Sequence, residues 1–259
     1  MEIFLNPDAW IALLTLTFLE IVLGIDNIIF ISIVTGKLQP EQRKKATKVG
    51  MFLAMFMRIV LLFGITVLIA MKEPWFTINF SWLNAQISGQ SLILLLGGFF
   101  LIYKSTKEIH EKVDLKGEEE KELKQSAAKS FGNVIAQIIL IDLVFSFDSI
   151  LTAVGMTNGV EGALYIMITA VIISVLIMMQ FAVPVGNFVN NHPSIQILGL
   201  SFLILIGFML ITESAHLSNA LVFGNHVTPV PKGYLYFAIS FSLLVEVLNM
   251  RVDKKKNKG

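Results

Sequence analysis

The chain has 259 residues, a net charge of +1, no cysteine, and 55% hydrophobic against 15% charged residues. A soluble domain carries about a quarter charged residues, so this balance, with a mean hydropathy of +0.74, reads as a membrane protein. The missing cysteines exclude disulfides, thiolate metal sites and thiol catalysis, and the near-neutral charge offers no field for nucleic acid.

A membrane-crossing helix needs about 20 mostly apolar residues. In chain order the expected spans run from about Trp10 to Val34, Val49 to Met71, a weak third with its apolar core at Ser91 to Tyr103, Val134 to Met156, Ala163 to Val185, Ile195 to Ile211, and Tyr234 to Met250. Trp10, Trp75, Trp82, Tyr103, Tyr165, Tyr234 and Tyr236 fall where interfacial anchors belong. The opening residues lack a basic n-region and lead into a long acidic apolar run, so an uncleaved chain is expected.

Seven spans leave two sets of loops. One set, with the C-terminal tail, holds seventeen lysines and arginines; the other holds only Lys72 and Lys232. The excess of positive charge belongs in the cytoplasm. This predicts a bacterial inner-membrane protein with its N-terminus outside and its C-terminus inside. Between Lys104 and Ser130 seven lysines alternate with seven acids, at helical spacings such as Glu108–Lys112 and Glu120–Lys124, which reads as a solvated linker.

A shift of 122 residues aligns the first span with the fourth. Leu19-Glu20-Ile-Val-Leu-Gly-Ile-Asp26-Asn27-Ile28 stands against Ile141-Asp142-Leu-Val-Phe-Ser-Phe-Asp148-Ser149-Ile150. More weakly, Gly97-Gly-Phe-Phe-Leu-Ile102 echoes Gly199-Leu-Ser-Phe-Leu-Ile204. Three spans per copy is an odd number, so the second copy enters from the opposite side. The expected fold is all-α: seven helices, built as a 3+3 inverted repeat plus one C-terminal helix. The expected organisation is one membrane domain over 1–259: a first three-helix repeat over 1–105, a charged cytoplasmic linker over 106–130, a second three-helix repeat over 131–215, and a seventh helix with a basic tail over 216–259. Secondary transporters use that plan, with the substrate site near midplane.

A carboxylate in hydrocarbon costs about 2.5–3.5 kcal/mol on insertion scales. Glu20, Asp26, Asp142 and Asp148 are four such groups, and Arg58 is the one basic residue within a span. A divalent cation or protons would balance the remainder. Asn27, Ser146 and Ser149 complete an all-oxygen ligand set, which suits Mg²⁺, Ca²⁺ or Mn²⁺ better than Zn²⁺ or Cu⁺. Antiparallel spans pair the acids crosswise, Glu20 with Asp148 and Asp26 with Asp142. They form two stations, or one merged site if the helices unwind near Gly24 and Ser146. Arg58 is expected to pair with one of the acids, as a gate or as a structural partner.

These two acidic strings resemble the TerC family of integral membrane proteins. So do Gly98-Phe-Phe-Leu-Ile-Tyr-Lys-Ser-Thr-Lys-Glu-Ile-His110, Ser201-Phe-Leu-Ile-Leu-Ile-Gly-Phe-Met-Leu210 and Pro231-Lys-Gly-Tyr-Leu-Tyr-Phe-Ala238. The resemblance covers essentially the whole chain. It implies membership of a wider exporter superfamily that includes the lysine exporters, and efflux of Mn²⁺. Glu20, Asp26, Asn27, Asp142, Asp148 and Ser149 are the matching positions. It also implies, as an alternative, a translocon-associated factor that aids membrane-protein insertion or metallation of exported enzymes.

The function expected is therefore proton-coupled export of a divalent cation, with Mn²⁺ as the transported ion and Ca²⁺ or Mg²⁺ also compatible with the ligands. No resident cofactor is expected. The partners expected are the cation, the lipid bilayer and the protein-translocation machinery. No G-x-x-x-x-G-K-[ST] string is present, so ATP coupling within the chain is not expected. The spans hold no His–acid or Ser–His–acid arrangement, so no enzyme is expected.

Overall fold

A computed structural model describes residues 7–113, 130–157 and 159–256; the side chains of Asp26 and of residues 253–256 lie outside the described residues. In chain order the elements are α1 (Pro7–Thr35), α2 (Pro40–Phe63), α3 (Ile65–Ala70), β1 (Pro74–Asn79), β2 (Leu83–Ser88), α4 (Gly89–Val113), α5 (Phe131–Met156), α6 (Ala163–Asn190), α7 (Pro193–Leu217), β3 (Leu221–Val222), β4 (Asn225–His226) and α8 (Lys232–Lys256). Residues 106–113 of the expected linker continue α4, and residues 114–129 lie outside the described residues.

Proline marks where two of the long helices begin. Pro40 and Pro193 sit in the first turn of α2 and α7, where a missing N–H costs nothing and the fixed φ suits the helix. The expected second span, Val49 to Met71, is not one helix: α2 closes on Gly64, and the chain restarts as the six-residue α3. Pro184, by contrast, lies inside α6 without ending it.

Among the described residues six helices are long and apolar enough to cross a membrane: α1, α2, α5, α6, α7 and α8 over Lys232–Val252. The sequence led to seven. The weak third span is the 25-residue helix α4, but Gln90, Lys104, Lys107 and Glu108 interrupt its apolar stretch, and it is not one of the six. The protein is a polytopic α-helical membrane protein with one small sheet.

The contacts divide the chain into two compact units: Met1–Glu73 with Lys116–Asn190, and Pro74–Leu115 with Asn191–Gly259. In the first unit, α1 packs mainly along α6, and α2 along α5 and α6. Their core is aliphatic, with Leu16, Phe30, Leu62, Ile138, Ile150 and Ile166 almost fully buried. Phe18, Phe52, Phe56 and Phe181 are exposed, as residues facing lipid tails are. Helix α1 is continuous through Gly24, and α5 through Ser146, so neither unwinds as the merged-site expectation required. Gly24 serves another purpose: the Sδ of Met178, from α6, occupies the space where a Cβ would stand.

In the second unit, α4 and α7 cross backbone to backbone. A Cβ on Gly98 would come within 2.6 Å of the Gly207 carbonyl oxygen, and one on Gly207 within 2.8 Å of the Gly98 oxygen. Ile211 flanks Gly98, and Ile102 flanks Gly207. The contact is reciprocal: Gly98 and Ile102 on α4 face Gly207 and Ile211 on α7. Small residues let helices touch this closely in a membrane, where van der Waals contact supplies much of the attraction. Ser88 and Ser91 exchange backbone N–H to side-chain oxygen bonds of 3.0 and 3.2 Å at the start of α4, a capping box.

The sheet belongs to the second unit and was not foreseen. Its antiparallel strands run β1-β2-β3-β4, with Thr77 opposite Gln86 and Leu83 opposite Val222. Phe223 (φ 50°) and Gly224 (φ 80°) make the two-residue turn between β3 and β4. Both need the left-handed region, as tight hairpins do. Phe80 stacks on Trp82, and Trp82 tilts against Phe223, with centroids 6.4 and 6.3 Å apart. The sequence treated Trp75 and Trp82 as isolated anchors because strands this short, interrupted at Phe80–Trp82, show little alternation.

Candidate functional site

The first unit buries a charged triad at mid-helix. Arg58, on α2, reaches between α1 and α5 and is only 4% exposed. Its Nη1 pairs with Glu20 Oε2, and its Nη2 donates to Asp142 Oδ1 at 2.9 Å. Its Nε donates to Ser146 Oγ at 2.9 Å, and Ser146 in turn donates to Asp142 Oδ2 at 3.0 Å. Asn27 Nδ2 lies 3.4 Å from Asp142 Oδ1, at the long end of a hydrogen bond. Three edges of the guanidinium are thus occupied, and both oxygens of Asp142 are engaged. Burying charges costs several kcal/mol per ion, and only such dense pairing repays it.

The triad adds a link that the crosswise pairing did not include. Glu20 meets Asp142 through Arg58, one acid from each copy of the motif. The long Arg58 side chain spans the difference in depth between them. The two helices run antiparallel, as their shared cavities show: Leu16 faces Met156 and Thr157, and Glu20 faces Ile150 and Ala153. On this register Glu20 stands level with Ile150, and Asp142 with Asn27, which it touches.

The remaining expected residues are placed as follows. The Asp26 side chain lies outside the described residues. Asp148 is half-buried on α5, and its backbone oxygen accepts from Thr152 Oγ1 at 3.0 Å. Six residues along a helix rotate a side chain by about 120°, so Asp148 occupies a different face from Asp142. Ser149 is buried but donates to its own helix, at Ser146 O, 3.3 Å away. Among the described residues no three Asp, Glu, His or Cys side chains converge as a ready-made metal cage.

Cavities line up along α1. At its N-terminal end an open pocket of about 240 Å³ is lined by Asp8, Thr15 and Leu16 with Met156 and Thr157. A cavity of about 10 Å³ follows at Leu16, Glu20 and Ile150. Past the ion pair, a third of about 20 Å³ lies at Gly24, Asn27, Arg58 and Asp142. Leu16 stands at the boundary of the first two, and the Glu20–Arg58 pair at that of the last two.

Sequence reasoning missed one buried acid. Glu108 was counted with the solvated linker, yet it is 1% exposed on α4, and Lys104 Nζ lies 2.9 Å from its Oε1. Lys112 Nζ, on the same helix, donates to Gln196 Oε1. The signal was present: Leu94, Gly98, Leu101, Ser105 and Glu108 are spaced four, three, four and three, a single buried stripe. Charge composition masked the periodicity.

Comparison with known proteins agrees with this architecture. The TerC family of integral membrane proteins matches residues 5–258. The inner membrane protein YgdQ of Escherichia coli K12 is 49% identical over 250 residues, covering 96% of both chains. A Haemophilus influenzae UPF0053 protein is 45% identical over 249 residues, again 96% of each. The longer E. coli inner membrane protein YoaE is 43% identical over 249 residues, which is 44% of its length. No solved structure matches the chain significantly. Buried acids paired across two copies of one motif, apolar helices throughout and a match over nearly the full length lead to one conclusion: the chain belongs to the TerC family of integral membrane proteins.

Proposed function

We propose that this protein is a secondary transporter that exports a divalent cation, foremost Mn²⁺, from the cytoplasm across the inner membrane in exchange for protons. The observation that carries the reading is the Glu20–Arg58–Asp142 triad, charged groups buried at mid-helix beside a row of cavities. Ions in a bilayer are costly, and they mark ion pathways and proton relays. The inner-membrane names of the E. coli relatives support the location. The loop lysines support an external N-terminus, which turns the wide pocket beside Asp8 to the outside.

In this reading Arg58 is a tethered counter-ion. It neutralises Glu20 and Asp142 while no cation is bound and swings aside when one arrives. Asp26 and Asp148 serve as further cation ligands, Asn27 contributes its amide oxygen, and Ser149 joins by turning its hydroxyl from the helix backbone. Protons neutralise the same carboxylates on the return.

The test is Mn²⁺ uptake into inside-out vesicles driven by an imposed proton gradient. Glu20→Gln and Asp142→Asn are expected to abolish it. Uptake equal to the native chain in both variants sinks the proposal.

A further inference from the structure

The cavity beyond the ion pair is more than a gap beside carboxylates. Three methionines, Met51 and Met55 from α2 and Met178 from α6, line it together with Asn27 and Asp142. Its volume of about 20 Å³ exceeds the roughly 10–15 Å³ needed to hold one water-sized occupant. The Asn27 amide turns its nitrogen to Asp142. Its Oδ1 is buried and has no hydrogen-bond partner among the described residues. A buried acceptor left open is destabilising, and an occupant with positive charge would satisfy it.

The sulfur is placed as deliberately as the oxygen. Met178 Sδ fills the notch that Gly24 leaves in α1, one turn from Asn27. Leucine has nearly the same volume and would close this part of a core with fewer rotamers. What methionine adds is a neutral, polarisable donor. Mg²⁺ and Ca²⁺ are hard ions that hold oxygen ligands, and Mg²⁺ dehydrates reluctantly. Thioethers reward softer d-block ions instead. Arg58 also lines the cavity, but Glu20 and Asp142 outweigh it, so these three groups leave one net negative charge.

We infer that this cavity is a mixed oxygen–thioether site for a divalent d-block cation. Asn27 Oδ1 and the Asp142 carboxylate are its hard ligands, and Met178 Sδ, flanked by Met51 and Met55, is its soft one. The inference rests on the cation-export reading and deepens it: the carboxylates supply charge, and the methionines reject Mg²⁺ and Ca²⁺.

Cd²⁺ is the soft probe. The purified full chain, native and Met178→Leu, is loaded with Cd²⁺ and its X-ray absorption recorded at the cadmium edge. A sulfur shell is expected in the native protein and its loss in the variant; a spectrum with oxygen neighbours alone overturns the inference. In vesicles, Mn²⁺ uptake is then competed with Cd²⁺ and with Mg²⁺. Met178→Leu is expected to lower the Cd²⁺-over-Mg²⁺ preference by roughly tenfold, the low end of what disturbing a metal's surroundings costs. An unchanged preference also overturns it. Met51→Leu and Met55→Leu, as volume-conserving partners, guard against a folding defect confined to one variant. Acid-dependent Mn²⁺ uptake without a sulfur shell defeats this inference alone. A sulfur shell in a chain that transports no cation leaves the site standing and defeats the export reading.

Discussion

The two units solve the same problem, holding helices together where water is absent, in opposite ways. In the second unit α4 and α7 meet at Gly98 and Gly207 through bare backbone. In the first unit the notch at Gly24 admits a side chain, Met178, and the helices nearby stand far enough apart to enclose Arg58, two carboxylates and cavities. A backbone crossing is rigid because no rotamer can yield. A side-chain lattice with a charged pivot can exchange one partner for another. The comparison teaches that the second unit holds its helices through fixed backbone, and the first through side chains that can rotate.

Breaking the pivot should produce the largest effect. Arg58→Ala leaves Glu20 and Asp142 facing each other without compensation, and removing one partner of a buried ion pair costs about 3–5 kcal/mol. A marked fall in melting temperature in detergent is expected. Adding Glu20→Gln and Asp142→Asn to Arg58→Met should restore most of the loss without restoring transport. A triple variant as unstable as Arg58→Ala would show that the charges are not the source.

Next comes the crossing itself. Gly98→Ala places a methyl within 2.6 Å of the Gly207 oxygen, and overpacking of this kind costs about 1–3 kcal/mol. Gly207→Ala should behave alike, and the double variant should cost less than the sum, because once the helices part both methyls have room. Additive losses would mean that the two glycines do not share one contact.

Gly24→Ala is expected to matter less for stability than for selectivity. The methyl meets the flexible end of Met178, which can move. The gain of roughly 1 kcal/mol in helix propensity offsets much of the crowding. Displacing the sulfur should nonetheless lower Cd²⁺ binding, read by titration of the purified chain. The smallest effect belongs to Gly155→Ala on α5, where a Cβ meets nothing within 4 Å. Stability should be unchanged or higher by about 0.5–1 kcal/mol. If it falls instead, the contrast drawn between open and crowded glycines is wrong.

Much of this protein was legible from its letters. Long apolar runs separated by charged loops dictate membrane helices, because backbone groups in lipid must bond within their own segment. The rarity of acids in such runs made Glu20, Asp26, Asp142 and Asp148 conspicuous, and the repeated spacing tied them together. The weak α4 and the hairpin β1–β2 were harder, since Lys104 and Glu108 dilute an apolar count and six-residue strands carry little pattern. Glu108 shows the same limit at the scale of one residue: composition said solvent, whereas its place in a four-three stripe said interior.

What the sequence alone determined is which residues must find polar company. It named the acids and the one arginine within a span, because charge in hydrocarbon is costly wherever it sits. It could not say who meets whom. That Arg58 spans Glu20 and Asp142, that Asn27 keeps an open oxygen and that Met178 fills the notch at Gly24 depend on depth, rotation and the choice of facing helix. A shift of one residue turns a side chain by about 100°, and only packing in three dimensions fixes that angle.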